Sequence, residues 1–289
     1  MTTTVDAVSP PRWWKRPVTA RHIPPLGFVA AVIVLAVVLL AAVAPWILTG
    51  QSPLQTDATA ALQAPSAAHL FGTDQSGRDV LSRVIYGARY SLIVGLGATL
   101  LALFAGLVMG ISAGLAPRSV DGVLSRVIDV LMAFPEFLFA LLVIAVIGPG
   151  EVSIVIAVAL AAVPAYARVA RVQTMVVSRA GYVRAARSLG VHPLAVIVRH
   201  IIPNTLGPLL VMATIGVGTA IVSAAGLSFL GLGPQPPTPE WGVILSEGRN
   251  FLATAWWIAV FPGLAITTTV IAISTVARFL RSRSEGRAS

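Results

Sequence analysis

Six long runs of the sequence are almost free of charged residues, and they constrain the fold more than any other feature. A membrane-spanning helix needs ~20 mainly apolar residues, which is about the length of these runs. They are continuously apolar and do not alternate, which favours helices over a β-barrel. The sequence therefore predicts an all-α membrane protein with about six transmembrane helices. The runs cover approximately residues 26–48, 91–116, 127–147, 152–172, 203–230 and 251–277.

The composition agrees with a lipid-facing surface. Charged residues make up 11% of the chain and hydrophobic residues 56%, whereas a soluble domain carries about 25% charged residues. The net charge of +9 could indicate nucleic-acid binding. However, the charges stand at the ends of the apolar runs, which is typical of membrane topology. We therefore expect membrane lipid around the chain and no nucleic-acid partner.

Most of the 20 Lys and Arg residues fall on one predicted side of the membrane. They lie before the first run, after the second and fourth runs, and after the last. The positive-inside rule then predicts that both termini are cytoplasmic.

The basic N-terminal segment and the small residues at 42–44 imitate a signal peptide, but the length of the run and Pro45 favour an uncleaved span.

The region before the second run allows two interpretations. Leu81, Val84, Ile85 and Ala88 recur at helical spacing, which predicts either an amphipathic helix at the membrane interface or an outward extension of the second span.

The predicted organisation is a cytoplasmic N-terminal segment (1–25), a first transmembrane helix (26–48), an external loop with an amphipathic helix (49–90), a five-helix core (91–280) and a cytoplasmic tail (281–289).

Residues 231–250 are rich in Pro and Gly and predict a second external loop, rigid and without regular structure. Trp241, Trp256 and Trp257 stand near the start of the last span. Tryptophan is enriched where membrane meets water. These three side chains are therefore predicted to form an interfacial belt.

Gly106, Gly110 and Gly114 follow one another at four-residue spacing in the second run. Such a glycine ridge lets two helix backbones approach closely in lipid. It predicts a packing seam, either inside the bundle or against a partner subunit. Chance spacing in a glycine-rich chain is the alternative.

Asp129 and Glu136 are seven residues apart in the third run, so they would share one face of a continuous helix. Acidic residues inside a membrane are costly and usually face a protein interior or a wet cavity. Three roles are open: a proton relay, a lining of the substrate path, or structural acids paired with an arginine such as Arg126. Pro135 should loosen this helix locally.

The loop between the fourth and fifth runs, residues 173–203, has the most informative layout. Residues 182–189 favour a helix, Gly190 is placed as its stop, and Pro193 is placed to open a second helix that His200 would cap. The small side chains of Ala185 and Ala186 would let another protein seat closely on this helix–turn–helix. A positively charged tether to anionic lipid is the alternative.

This loop resembles the EAA loop of binding-protein-dependent ABC importer permeases. The resemblance lies in Ala185-Ala186, Gly190 and the later Pro203, although Arg184 stands where many such permeases carry Glu. His200 and Ile202 also replace the commoner Ile and Leu. Residues 71–83 and 227–242 are similar to the dipeptide and oligopeptide branch.

The resemblance implies a C-type permease subunit with the type I importer bundle, located in a bacterial inner membrane. It implies a second related permease, two cytoplasmic ATP-binding subunits and an extracytoplasmic peptide-binding protein as partners. ATP and Mg would bind to the ATPase subunits, with no cofactor in this chain. The EAA loop would be the coupling helix, formed by Arg184, Ala185, Ala186, Arg187, Gly190, His192, Pro193, His200 and Pro203.

The residues themselves favour a transport subunit over an enzyme. Lys15 is the only lysine and no Gly-rich phosphate loop surrounds it, so we expect no ATP-hydrolysing site. No metal-ligand spacing and no nucleophile–base pair are evident. The expected cargo is a peptide, and nickel, haem or glutathione are alternatives within the same branch. A proton-coupled secondary transporter and an intramembrane enzyme are more distant alternatives.

Overall fold

The computed structural model describes residues 26–285, which form an all-helical bundle with one isolated β-bridge between Thr73 and Asp79. The predicted N-terminal segment and the end of the predicted tail lie outside the described residues. The helices are α1 (Leu26–Val43), α2 (Val80–Leu115), α3 (Arg118–Met132), α4 (Glu136–Ile147), α5 (Glu151–Ser178), α6 (Gly181–Ser188), α7 (Pro193–Val196), α8 (Ile202–Phe229), α9 (Trp241–Gly248) and α10 (Trp257–Glu285).

The number of membrane spans agrees with the sequence. Within residues 26–285, five helical stretches are long and apolar enough to cross a membrane, and a sixth span results if α3 and α4 count as one bent span. These stretches are α1, α2, α5, α8 with the residues leading into it, and α10. The prediction of about six transmembrane helices in an all-α fold is confirmed.

The third apolar run is not one helix, which corrects the sequence prediction. Helices α3 and α4 meet at an angle of 94°. Pro135 stands directly before α4. It lacks a backbone N–H and disfavours helical conformation at the residue before it, so the helix breaks instead of loosening. Asp129 and Glu136 therefore lie on different helices and do not share a face.

Of the two interpretations of the region before the second run, the structure shows the outward extension of the second span and not a separate interfacial helix. Helix α2 begins at Val80 and runs without a break to Leu115. Asp79 caps it by accepting a hydrogen bond from the backbone N–H of Ser82 at 2.8 Å. The residues that looked like a polar face are buried, as Arg83 shows with no exposed surface.

The loop at residues 231–250 contains regular structure, contrary to prediction. Helix α9 occupies Trp241–Gly248, because the Glu240 carboxylate accepts hydrogen bonds from the N–H groups of Gly242 and Val243, both at 2.9 Å. A side chain that satisfies free N–H groups at a helix start stabilises that start. The composition of the loop gave no sign of this cap.

The tryptophan belt was also wrong for two of its three members. Trp241 and Trp257 are buried, and Trp256 is exposed. The indole N–H of Trp241 donates to the carbonyl of Val84 at 2.8 Å, and that of Trp257 donates to the carbonyl of Thr73 at 3.0 Å. Trp241 thus joins the two predicted external loops, and Trp257 joins the first of them to the start of α10.

The glycine ridge of α2 packs inside the bundle, against α5. A Cβ atom on Gly106 or Gly110 would collide with Tyr166 or Ala170, and one on Gly114 would lie 2.9 Å from the Cβ of Thr174. Each step of four residues on α2 is matched by a step of four on α5, so the two helices run parallel. Of the two predicted seams, the internal one is present.

Candidate functional site

Two regions lie at opposite ends of the bundle. We call residues 179–203 the elbow and residues 44–79 with 230–256 the cap. Leu115, at the end of α2, packs in the elbow cluster, whereas Val80, at its start, packs in the cap cluster with Trp241. A third feature, a cavity at mid-height, lies between them.

The elbow has the predicted helix–turn–helix form. Helix α6 ends in a turn at Gly190, whose φ of +77° lies in the left-handed region that favours glycine. The N–H of Gly190 donates to the carbonyl of Arg187 at 3.0 Å, and the N–H of Val191 to that of Ala186 at 3.1 Å. Pro193 then opens α7, as predicted.

The second elbow helix is capped by a histidine other than the expected one. His192 caps α7, because its Nδ1 accepts a hydrogen bond from the N–H of Leu194 at 3.3 Å. The predicted cap by His200 was wrong. Its ring instead lies beside that of Tyr182, with 6.1 Å between the ring centroids, and its carbonyl accepts from Asn204 at 2.6 Å.

One face of the elbow is buried and the other is open. Four aliphatic side chains, Val177, Val183, Val196 and Ile201, anchor it to the bundle. On the open face Leu189 is 84% exposed and Leu194 62% exposed. The remaining predicted elbow residues at the surface are Arg184, Ala185, Arg187, Gly190, His192, Pro193 and Pro203, with Ala186 and His200 half-buried. This face offers small, apolar and basic groups to another protein.

The acid Asp129 is paired, but not with the expected arginine. It accepts a hydrogen bond from Arg168 of α5. A neighbouring pair joins the same helices, since Arg171 donates to Asp121 at 2.5 and 2.7 Å. These contacts hold α3 against α5, which explains the two arginines at the end of the fourth apolar run. The partner of Asp129 is thus Arg168 and not Arg126, the arginine that the sequence suggested.

Glu136 has different surroundings. It lines a cavity of about 220 Å³ between α2, α4, α5 and α8, together with Tyr166, Thr99 and Thr219. No hydrogen bond or ion pair joins Glu136 to another residue within the described part of the chain. Sequence reasoning singled out this carboxylate but missed Tyr166, which is a lone polar ring within an apolar run and carries no local signal.

The cap is held by a cluster of four charged side chains. Arg83 donates to Asp74 at 2.7 Å and to Glu247 at 2.5 Å, and Arg78 donates to the same two carboxylates at 2.6 and 2.8 Å. Burial disfavours the charge on Arg78, but its bonds to Glu247 and Asp74 outweigh this and raise its pKa. We call these four residues the charge cluster.

A further buried carboxylate stands beside the charge cluster. Glu240 is 3% exposed, and burial raises its pKa despite the hydrogen bonds that its carboxylate accepts from Gly242, Val243 and Ser91. His69 contacts Asp79 at 3.0 Å in the same region. The cap therefore joins loops that are distant in sequence through polar contacts.

Several known proteins are similar to this chain in sequence. Residues 103–289 match the family described as the binding-protein-dependent transport system inner membrane component. The dipeptide transport system permease protein of Alkalihalophilus pseudofirmus is 41% identical over 89% of this chain and 84% of its own length. A putative peptide transport system permease protein of Brucella suis is 44% identical over 88% and 85%. The glutathione transport system permease protein of Escherichia coli is 41% identical over 89% and 84%.

A solved structure supports the fold. A chain of the MetNI methionine ABC transporter, in an inward-facing conformation, superposes with a TM-score of 0.55 at 18% identity, covering 69% of this chain and 95% of that chain. At this identity the likeness concerns the fold alone. The family match, in contrast, extends over more than half of the sequence. The chain belongs to the family of inner membrane components of binding-protein-dependent transport systems.

Proposed function

We propose that this chain is the permease subunit of an ATP-driven peptide importer, forming the translocation path with a second, related permease. The observation that carries the proposal is the elbow, an exposed surface of small residues held on a buried apolar anchor at one end of the bundle. Such a surface can pass a movement of another protein on to the bundle, because its apolar anchor connects it to α5 and α8.

The elbow would dock on a cytoplasmic ATP-binding subunit. The positive-inside rule favours a cytoplasmic elbow because it carries Arg184, Arg187 and Arg199. ATP and Mg would bind in a pair of such subunits, and this chain would hydrolyse no ATP itself. The cap, at the opposite end, would then face the extracytoplasmic peptide-binding protein.

Peptides are the favoured cargo because two of the matched relatives are named for dipeptide or peptide transport. Glutathione is the second candidate, since a relative of equal identity is named for it. A proton relay through two intramembrane acids is not favoured. Asp129 is bound by Arg168, and Glu136 lies on another helix beyond the break at Pro135.

The proposal is tested by purifying the tagged chain from its native membrane and reconstituting it in liposomes. We expect a second permease and two ATP-binding subunits to copurify, and ATP-dependent uptake of a labelled dipeptide once the binding protein is added. Unlabelled glutathione should compete only if it is the cargo. Uptake without nucleotide, or no uptake of any peptide, would contradict the proposal.

A substitution on the open face of the elbow sharpens this test. Ala185→Trp should abolish uptake and peptide-stimulated ATP hydrolysis, because the bulky ring would keep the ATP-binding subunit from seating on α6. Ala36→Trp is the matched control, since Ala36 is an exposed alanine of α1 that belongs neither to the elbow nor to the cap. Equal uptake by both variants would contradict the docking role of the elbow.

A further inference from the structure

The cavity at mid-height contains two polar groups without partners. Within residues 26–285, the carboxylate of Glu136 has no hydrogen bond or ion pair, and Tyr166, which is 3% exposed, has a hydroxyl group with no hydrogen-bond partner. A buried polar group without a partner costs free energy, of the order of 1–3 kcal/mol. A carboxylate inside a membrane is costly as well. The buried hydroxyl of Tyr166 and the exposed carboxylate of Glu136 face one cavity, which indicates that a ligand supplies the partner that Tyr166 lacks.

The cavity offers hydrogen-bond acceptors. Thr99 donates its hydroxyl hydrogen to the carbonyl of Gly95 at 2.8 Å, and Thr219 donates to that of Gly216 at 3.0 Å. Each threonine oxygen therefore keeps its lone pairs for a ligand. Among the residues that the structure describes, no Arg, Lys or His lines the cavity. A carboxylate with hydroxyl oxygens around it is complementary to a group that only donates, which is the chemistry of an ammonium ion.

The size and the wall residues of the cavity restrict further which ligands fit. At about 220 Å³ it is much larger than a bare ion needs, since a water molecule fills ~30 Å³. The remaining walls are mostly apolar, including Val158, Met212 and Ile215. A calcium ion would require about six or more oxygen ligands, and Glu136 supplies the only carboxylate among the described residues that line the cavity. The cavity thus fits an organic ammonium attached to an apolar group.

The position of the cavity suits a transport path. Tyr166 lies near the middle of α5, Thr99 near the middle of α2 and Gly216 near the middle of α8. Glu136 is exposed and lines the cavity, so the cavity opens to the outside of this chain at that residue. Glu136 also begins α4, directly after the break at Pro135.

We propose that this cavity binds the N-terminal α-ammonium group and first side chain of the transported peptide. Glu136 would pair with the ammonium, Tyr166 and the two threonines would accept its other hydrogens, and the apolar walls would contact the side chain. The inference rests on the proposed function and adds to it a specific subsite for the cargo within the membrane.

The test is equilibrium binding of two labelled probes to the complete importer, purified without its binding protein. The probes are leucyl-alanine and isocaproyl-alanine, which is the same molecule without its α-amino group. Glu136→Gln should weaken binding of leucyl-alanine about tenfold, as expected for loss of a charged hydrogen bond, and leave isocaproyl-alanine unchanged. Tyr166→Phe should weaken leucyl-alanine about threefold.

Glu151→Gln is the matched control, because Glu151 also begins a spanning helix but does not line the cavity. It should bind both probes like the unmodified complex. Equal weakening of both probes by Glu136→Gln, or no weakening of either, would overturn the subsite. Should that variant fail to assemble, the Tyr166→Phe comparison decides alone. Peptide uptake by the unmodified importer tests the proposed function separately, so its failure is distinguishable from failure of the subsite.

Discussion

The cap and the elbow stabilise the two ends of one bundle by opposite means. The cap uses buried ion pairs and indole hydrogen bonds that connect segments far apart in the chain, such as Arg83 with Glu247. The elbow uses a local cluster of aliphatic side chains between Val177 and Ile201. In the part of the chain that the structure describes, none of the seven ion pairs involves an elbow residue.

The two ends also differ in whether their arginine side chains are buried in ion pairs or exposed at the surface. The two arginines of the charge cluster, Arg78 and Arg83, make internal contacts, which are directional and hold the two loops of the cap together. The arginines of the elbow remain at the surface, where a partner can meet them. The cap therefore satisfies its buried charges by internal contacts, whereas the elbow keeps its charges exposed, as the proposed docking surface requires.

The largest effect is expected from breaking the charge cluster. Arg83→Met would leave Asp74 and Glu247 buried with an incomplete set of donors, which costs about 3–5 kcal/mol for a buried ion pair that loses one partner. Thermal unfolding of the purified protein should shift strongly downward. Arg89→Met is the control, since Arg89 is exposed on the same helix. Equal shifts for the two variants would show that the cluster does not stabilise the cap.

A smaller, pH-dependent effect is expected from Glu240. Burial raises the pKa of Glu240 above its ordinary value of 4.5. Below that value the folded and unfolded states both hold the proton. As pH rises, the unfolded chain ionises first, so the free energy of unfolding should fall until the folded carboxyl ionises as well. Glu240→Gln should remove this decline, and an unchanged slope of thermal stability against pH in the variant would contradict it.

The smallest effect is expected at the turn of the elbow. Gly190→Ala should destabilise it by about 1 kcal/mol, because the left-handed backbone disfavours a Cβ atom although the space around it is open. Gly181→Ala, at a glycine with equally open space and no positive φ, should cost little. Hydrogen exchange of residues 181–196 would measure both. Faster exchange in the second variant than in the first would reverse the interpretation.

Features with a local signal could be predicted from the sequence. The spans follow from the length of the apolar runs, and the turn of the elbow follows from Gly190 and Pro193, whose backbone preferences act within a few residues. The seam at Gly106 could be predicted as a seam, but its partner helix could not. Spacing along one helix says nothing about which helix packs on it.

Features that depend on distant partners could not be predicted. Arg83 reads as a polar position of a surface helix, because its partner Glu247 lies 164 residues away. Asp129 was assigned to the nearest arginine, whereas its partner Arg168 is on another helix. Trp241 is predicted to lie at the membrane interface because its hydrogen-bond partner Val84 is also far away in the sequence. In each case the deciding contact is made by tertiary packing, which a single sequence does not display.

The glycine seam has a mechanical consequence. Along three successive turns of α2, the backbone of α5 lies too close for one helix to slide past the other. We expect these two helices to behave as a single rigid rod that reaches from one end of the molecule to the other. A tilt imposed on one of the two helices at the elbow should then be shared by the other along the whole length of this contact.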